Sequence, residues 1–169
     1  MTNPTAKSVL ATGVFSLAGI ISALFYSVVS PFLLPHFIIY AVLVVNTYFS
    51  IRFWSGLQPK DSRQLLIDAV LVAAYLALAF SIGEPMYFAL AALTLFALAT
   101  FKYVLMRGRT SYEAIVERKT GIDALGALAC AVLTLGMFLG YPLEATWLFG
   151  IGFTLANIYL LAIKPMYRL

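Results

Sequence analysis

Charge is what this chain has least of. Asp, Glu, Lys and Arg make up 11% of its 169 residues while 63% are hydrophobic, and the mean hydropathy is +0.96. A soluble domain carries about 25% charged residues, so this chain lacks the polar groups to cover its own surface and reads as an integral membrane protein. The same shortage excludes disorder, a coiled coil and a nucleic-acid domain, because the net charge of +4 rests on few charged side chains. The one cysteine, Cys130, excludes a disulfide framework and a multi-cysteine metal site. The one histidine, His36, excludes bis-histidine haem ligation within a single chain. There is no Gly-rich phosphate loop, no serine or cysteine with a histidine in reach, and no acidic cluster suited to Mg²⁺ and a lipid phosphate. Glu113, Glu117 and Arg118 faintly suggest the paired acids of an intramembrane protease, but no second-helix histidines complete a metal site. The expectation is a protein that is not an enzyme and has no cofactor and no metal.

What the chain has instead is long apolar runs. A helix needs about 20 apolar residues to cross the hydrocarbon of a bilayer. Six runs meet that length: Ser8 to Val29, Pro31 to Ile51, Leu65 to Gly83, Pro85 to Met106, Gly121 to Gly140 and Pro142 to Ile163. The expected fold is therefore a single all-α integral membrane domain over 1–169, with hairpins at 8–52, 64–107 and 120–164. The first run is longer than the hydrophobic part of a signal peptide and shows no A-x-A pattern, so it is read as a retained helix.

The cations are distributed on one side. Lys7, Arg52, Lys60, Arg63, Lys102, Arg107, Arg109, Arg118, Lys119, Lys164 and Arg168 all fall at the same ends of the spans, whereas the turns near Ser30, Glu84 and Tyr141 hold no Lys or Arg. The positive-inside rule then places both termini in the cytoplasm, with His36, Glu84 and Glu144 on the far side. Short loops and almost no soluble part suit a prokaryotic inner membrane.

The spans also read as three copies of a hairpin. Pro31, Pro85 and Pro142 each stand where an even-numbered helix is expected to begin; fifteen residues later come Asn46, Thr100 and Asn157, and two further Tyr48, Lys102 and Tyr159. Ile67-Asp68-Ala69 and Ile122-Asp123-Ala124 open the third and fifth spans alike. Small residues at four-residue spacing, Ala69, Ala73 and Ala77 in the third span and Gly126, Cys130 and Thr134 in the fifth, predict close helix contacts, some of them available to a second protomer.

Polar groups inside the spans are the candidate site. Asn46, Asp68, Lys102, Asp123 and Asn157 would form one polar layer in the half nearer the cations, lining a cavity or bolting helices together, and ionisable groups at such depth tend to mark pathways. Asp68 needs a partner, with Arg63 or Lys102 within reach. Asp123 reads as the N-cap acid of Thr120-x-x-Asp123, its carboxylate at the positive end of the helix dipole. His36 reads as an interfacial residue and Cys130 as a packing residue. The stretch 107–120 reads as a separate interfacial helix opened by the capping box Thr110-x-x-Glu113, lying on the inner leaflet or docking a partner.

Two functions fit these features. One is a small transporter, or the membrane-embedded substrate-binding subunit of one, with the polar layer as its site. The alternative is a non-catalytic accessory or scaffolding subunit, whose partners beyond the lipid bilayer are another membrane protein subunit or a second copy of the chain.

Overall fold

Prolines fix where two of the even-numbered helices begin. Pro85 and Pro142 sit in the first turn of their helices, where a missing N–H leaves no intrahelical bond unmade. The structure, a computed structural model, describes residues 3–26, 30–58 and 61–167. Among these residues there are six α-helices and no strand: α1 Pro4–Tyr26, α2 Leu33–Trp54, α3 Ser62–Phe80, α4 Pro85–Met106, α5 Glu113–Phe138 and α6 Pro142–Ile158, the last continued by a π-helical turn at Tyr159–Ile163. All six, with the π turn counted into α6, are long and apolar enough to cross a membrane. The chain is an all-helical, multi-pass membrane protein.

Several expected boundaries move. Val29, Lys60 and Arg168 lie outside the described residues. Pro31 does not open α2, which starts two residues later at Leu33; Pro31 and Phe32 form a turn closed by Leu33 N–H to the Ser30 carbonyl at 3.2 Å. The Ser30 hydroxyl donates to the Gly83 carbonyl at 2.9 Å, which ties two of the cation-free turns together.

The larger correction concerns the stretch before the fifth span. It is not a separate interfacial helix, because α5 runs unbroken for 26 residues from Glu113. No proline interrupts this sequence, and Gly121 stands in open space, so nothing stops the helix between the two expected segments. At 1.5 Å per residue α5 is about 39 Å long, enough to cross the hydrocarbon and project beyond it. Thr120 therefore caps nothing; its hydroxyl bonds back to the Val116 carbonyl at 2.8 Å. The capping box fails as well, since Tyr112 is the N-cap residue and makes no side-chain cap, while the Thr110 hydroxyl accepts from Tyr112 N–H at 3.3 Å. By contrast Asp61 does cap α3, accepting from Gln64 N–H at 2.8 Å.

The helices stand in a closed ring whose neighbours run α1, α2, α6, α5, α4, α3 and back to α1. In the half away from the cations, the ring is plugged by Ile39, Tyr40, Leu78, Ile82, Phe88 and Ala92, all nearly inaccessible. His36 belongs to this plug and is not interfacial. It is fully buried, its ring stacks on Phe88 at 4.0 Å between centroids, and its Nδ1 lies 2.7 Å from the Ile82 carbonyl oxygen. Gly19 lets α1 approach α2, since a Cβ there would strike the Tyr40 ring; the Tyr40 hydroxyl in turn donates to the Phe15 carbonyl at 2.8 Å. Cys130 is fully buried in the same apolar cluster. The Ala69, Ala73 and Ala77 stripe makes no such contact, because all three are exposed and α3 turns Ala74, Leu78 and Ala79 inward instead.

Candidate functional site

The plug stops at mid-bundle. From Phe15, Leu43, Leu95 and Phe96 toward the basic end the bundle holds a half-open cavity of about 430 Å³, whose lining includes Lys7, Gln58 and Leu65. That volume lies toward the small side of the roughly 300–1,000 Å³ that ligand pockets occupy. Side chains from α1 to α5 line it, and most of its wall is apolar.

The polar part of the wall is built from residues at helical spacing. On α2, Thr47, Ser50 and Trp54 share a face with one another, and on α3, Asp68 and Tyr75 lie two turns apart on one face. Thr47 bonds to the Tyr75 hydroxyl, and Ser50 lies 3.2 Å from the Tyr103 hydroxyl. These bonds carry the wall across α2, α3 and α4. The Phe15 and Tyr75 rings stack at 4.6 Å, and Trp54 lies 5.2 Å from Tyr103, so flat aromatic surfaces bound the space.

Two ion pairs sit in this wall. The Lys102 ammonium meets Asp68 Oδ1 at 2.7 Å between α4 and α3, while Asp68 Oδ2 accepts from Gln58 Nε2 at 2.9 Å. Of the two partners the sequence offers Asp68, the structure uses Lys102. The second pair is internal to α5, where Lys119 reaches Asp123 Oδ1 at 2.5 Å one turn on. Asp123 is thus a paired acid inside the bundle and not the cap of a helix. Both members of this second pair are buried, and the Lys119 ammonium lies 5.6 Å from the centre of the Tyr103 ring.

Asn46 and Asn157 also meet. The Asn46 amide donates to Asn157 Oδ1 across α2 and α6, and Asn157 donates to the Phe153 carbonyl at 2.9 Å. The Asn46 oxygen accepts from the Tyr167 hydroxyl at 3.2 Å. Burial holds the Tyr167 phenol above the usual tyrosine range, against the Lys119 ammonium, which draws it down, so the hydroxyl keeps the proton it donates. Of the five expected site residues, then, Asn46, Asp68, Lys102 and Asp123 line the cavity, and Asn157 stands behind Asn46. Thr100, the counterpart of the two asparagines in the hairpin alignment, bonds to the Phe96 carbonyl of its own helix.

Sequence reasoning missed Lys119, Trp54, Tyr75, Tyr103 and Tyr167. The four-residue spacing of Lys119 and Asp123 was a usable signal once α5 is allowed to begin before residue 119. Tyr167 had none, since its place depends on how the chain turns after the π segment, where Lys164 N–H bonds to the Tyr159 carbonyl at 2.7 Å.

No family model, no curated protein and no solved structure matches this chain.

Proposed function

We propose that the protein is a small transporter, or the membrane-embedded substrate-binding subunit of one, built from three hairpins with both termini in the cytoplasm of a prokaryotic cell. The reading rests on one observation. The bundle holds a ligand-sized cavity with polar groups in its wall on the basic side and an apolar plug on the other. A bundle that used its polar residues only as bolts would have no reason to hold them around a space, and every open space in a core lowers stability. By the positive-inside rule the open side is the cytoplasmic one. The site binds without catalysis; Lys102 and Lys119 are engaged in ion pairs and serve as wall.

The test is native mass spectrometry of the protein extracted directly from membranes in lipid nanodiscs. A bound small molecule is expected in the wild type and is lost in Asp68→Asn, whose one amide oxygen still accepts from Lys102 while Gln58 can turn its own oxygen to the new N–H, so that the melting profile moves little. An empty wild-type protein, or an Asp68→Asn protein that fails only because it does not fold, refutes the reading.

A second reading, as an accessory subunit, draws on α6. Its outer face exposes Leu148, Ile151 and Leu155, and nothing lies within 4 Å of a Cβ built on Gly152, which leaves room for a neighbouring helix. A stoichiometric companion protein after gentle solubilisation would favour it, and a monodisperse single species would count against it.

A further inference from the structure

Within the cavity wall three polar atoms are left over, one of them the Ser55 hydroxyl, which can donate or accept. Asp123 Oδ2 and Trp54 Nε1 are buried and, among the described residues, have no hydrogen-bond partner. Asp123 is 1% exposed and Trp54 1% exposed, and both line the cavity. They flank a common neighbour, since Trp54 lies against the Tyr103 ring and the Lys119 that holds Asp123 lies over it. A buried acceptor and a buried donor without partners are costly. Asp123 and Trp54 ask for a molecule that offers one donor and one acceptor, and the Ser55 hydroxyl can meet either kind of group.

Charge narrows the class. Asp68 is balanced by Lys102 and Asp123 by Lys119, so these four charges cancel and Lys7, at the basic end, is the one further charge on the lining. An anion placed there would face the free Asp123 oxygen, and a cation would face Lys119 and Lys102. Either would also have to leave water for a mostly apolar space. Aliphatic side chains such as Leu43, Leu71 and Leu95 make up much of the remaining wall, and its flat surfaces come from Phe15 stacked on Tyr75 and from Tyr103 and Phe96.

We infer that the cavity takes an uncharged, flat aromatic molecule bearing an amide-like edge, its N–H donated to Asp123 Oδ2 and its carbonyl or ring nitrogen accepting from Trp54 Nε1. The inference deepens the binding-protein reading and rests on it.

An isosteric series tests it. In a Trp147→Phe background Trp54 is the only indole, and its fluorescence is titrated in nanodiscs with benzamide, benzoate, benzamidine and acetophenone. Benzamide is expected to quench saturably and to bind about ten-fold tighter than the anion, the cation or the donor-free ketone. Trp54→Phe, followed by thermal shift, weakens benzamide by about three- to ten-fold. Because Asp123→Asn strands Lys119, the carboxylate is tested in the double variant Lys119→Met with Asp123→Leu, which is expected to bind benzamide and acetophenone alike. Tightest binding of benzoate or benzamidine, equal binding of benzamide and acetophenone by the unaltered wall, or no binding of any probe overturns the inference. A molecule retained in native mass spectrometry with no benzamide binding sinks this assignment alone. A wild-type protein that retains nothing from the membrane sinks the transport reading, whatever benzamide does.

Discussion

Asp68 and Lys102 join α3 to α4 through a 2.7 Å contact, and the other Asp68 oxygen is held by Gln58 from the connection after α2. One carboxylate therefore anchors three successive segments of the chain at the mouth of the cavity. Its side chain remains 31% exposed, so the pair works in a partly wet place.

That wetness limits its energy. In a double-mutant cycle with Lys102→Met and Asp68→Asn, the coupling is expected to be about 1 kcal/mol or less and to shrink in high salt. Denaturation in detergent at two ionic strengths measures it. A coupling several times larger would mean the pair is dry.

The Lys119–Asp123 pair should behave differently, because both side chains are buried. Asp123→Asn alone leaves an ammonium without its counter-charge and is expected to cost about 3–5 kcal/mol. Replacing both, Lys119→Met with Asp123→Leu, should recover most of that loss. Thermal unfolding of the three proteins decides it: a double variant as unstable as the single one would show that the pair stabilises the fold outright.

At Gly19 the prediction is steric. The Tyr40 ring fills the space a Cβ would need, and its hydroxyl bond to Phe15 prevents it from swinging away. Gly19→Ala is expected to destabilise by about 1–3 kcal/mol. Gly13→Ala, where nothing lies within 4 Å, serves as the matched control and should be neutral or slightly stabilising.

The Arg109–Asp61 contact at 3.0 Å links two loops at the basic end, with both side chains more than two-fifths exposed. Arg109→Ala should change stability by less than about 0.5 kcal/mol. A larger loss in the same unfolding assay would show that the loops, and not the helices, hold the basic end together.

The helices were legible in the sequence because lipid makes one demand, about 20 apolar residues per span, and charge is penalised wherever that demand is broken. The polar layer was legible for the same reason, since Asn46, Asp68, Lys102, Asp123 and Asn157 stand out against an apolar background. What misled was the start of α5. Thr120 and Asp123 have the spacing of a cap, but a cap needs the helix to begin there, and the residues from Glu113 onward are good enough helix formers to begin it sooner. That one shift converts Lys119 from a loop cation into the buried partner of Asp123. His36 was misplaced because its tolerance of burial depends on the Ile82 carbonyl, forty-six positions away, which no local pattern reveals. Hydroxyl pairs such as Ser50 with Tyr103 were hidden likewise, for both residues are common in apolar helices and only the ring of helices brings them together.

The order of that ring has a consequence for how the protein is made. Asn46 and its partner Asn157 are separated by 111 residues. At about 5–20 residues per second that is on the order of ten seconds of synthesis. Through that interval α2 has its α1 flank covered, while the side that faces α6 in the finished protein waits for a helix not yet translated. The gap is closed only when α6 arrives, so until then the arc between α2 and α5 stands open and the Asn46 amide is without its Asn157 partner.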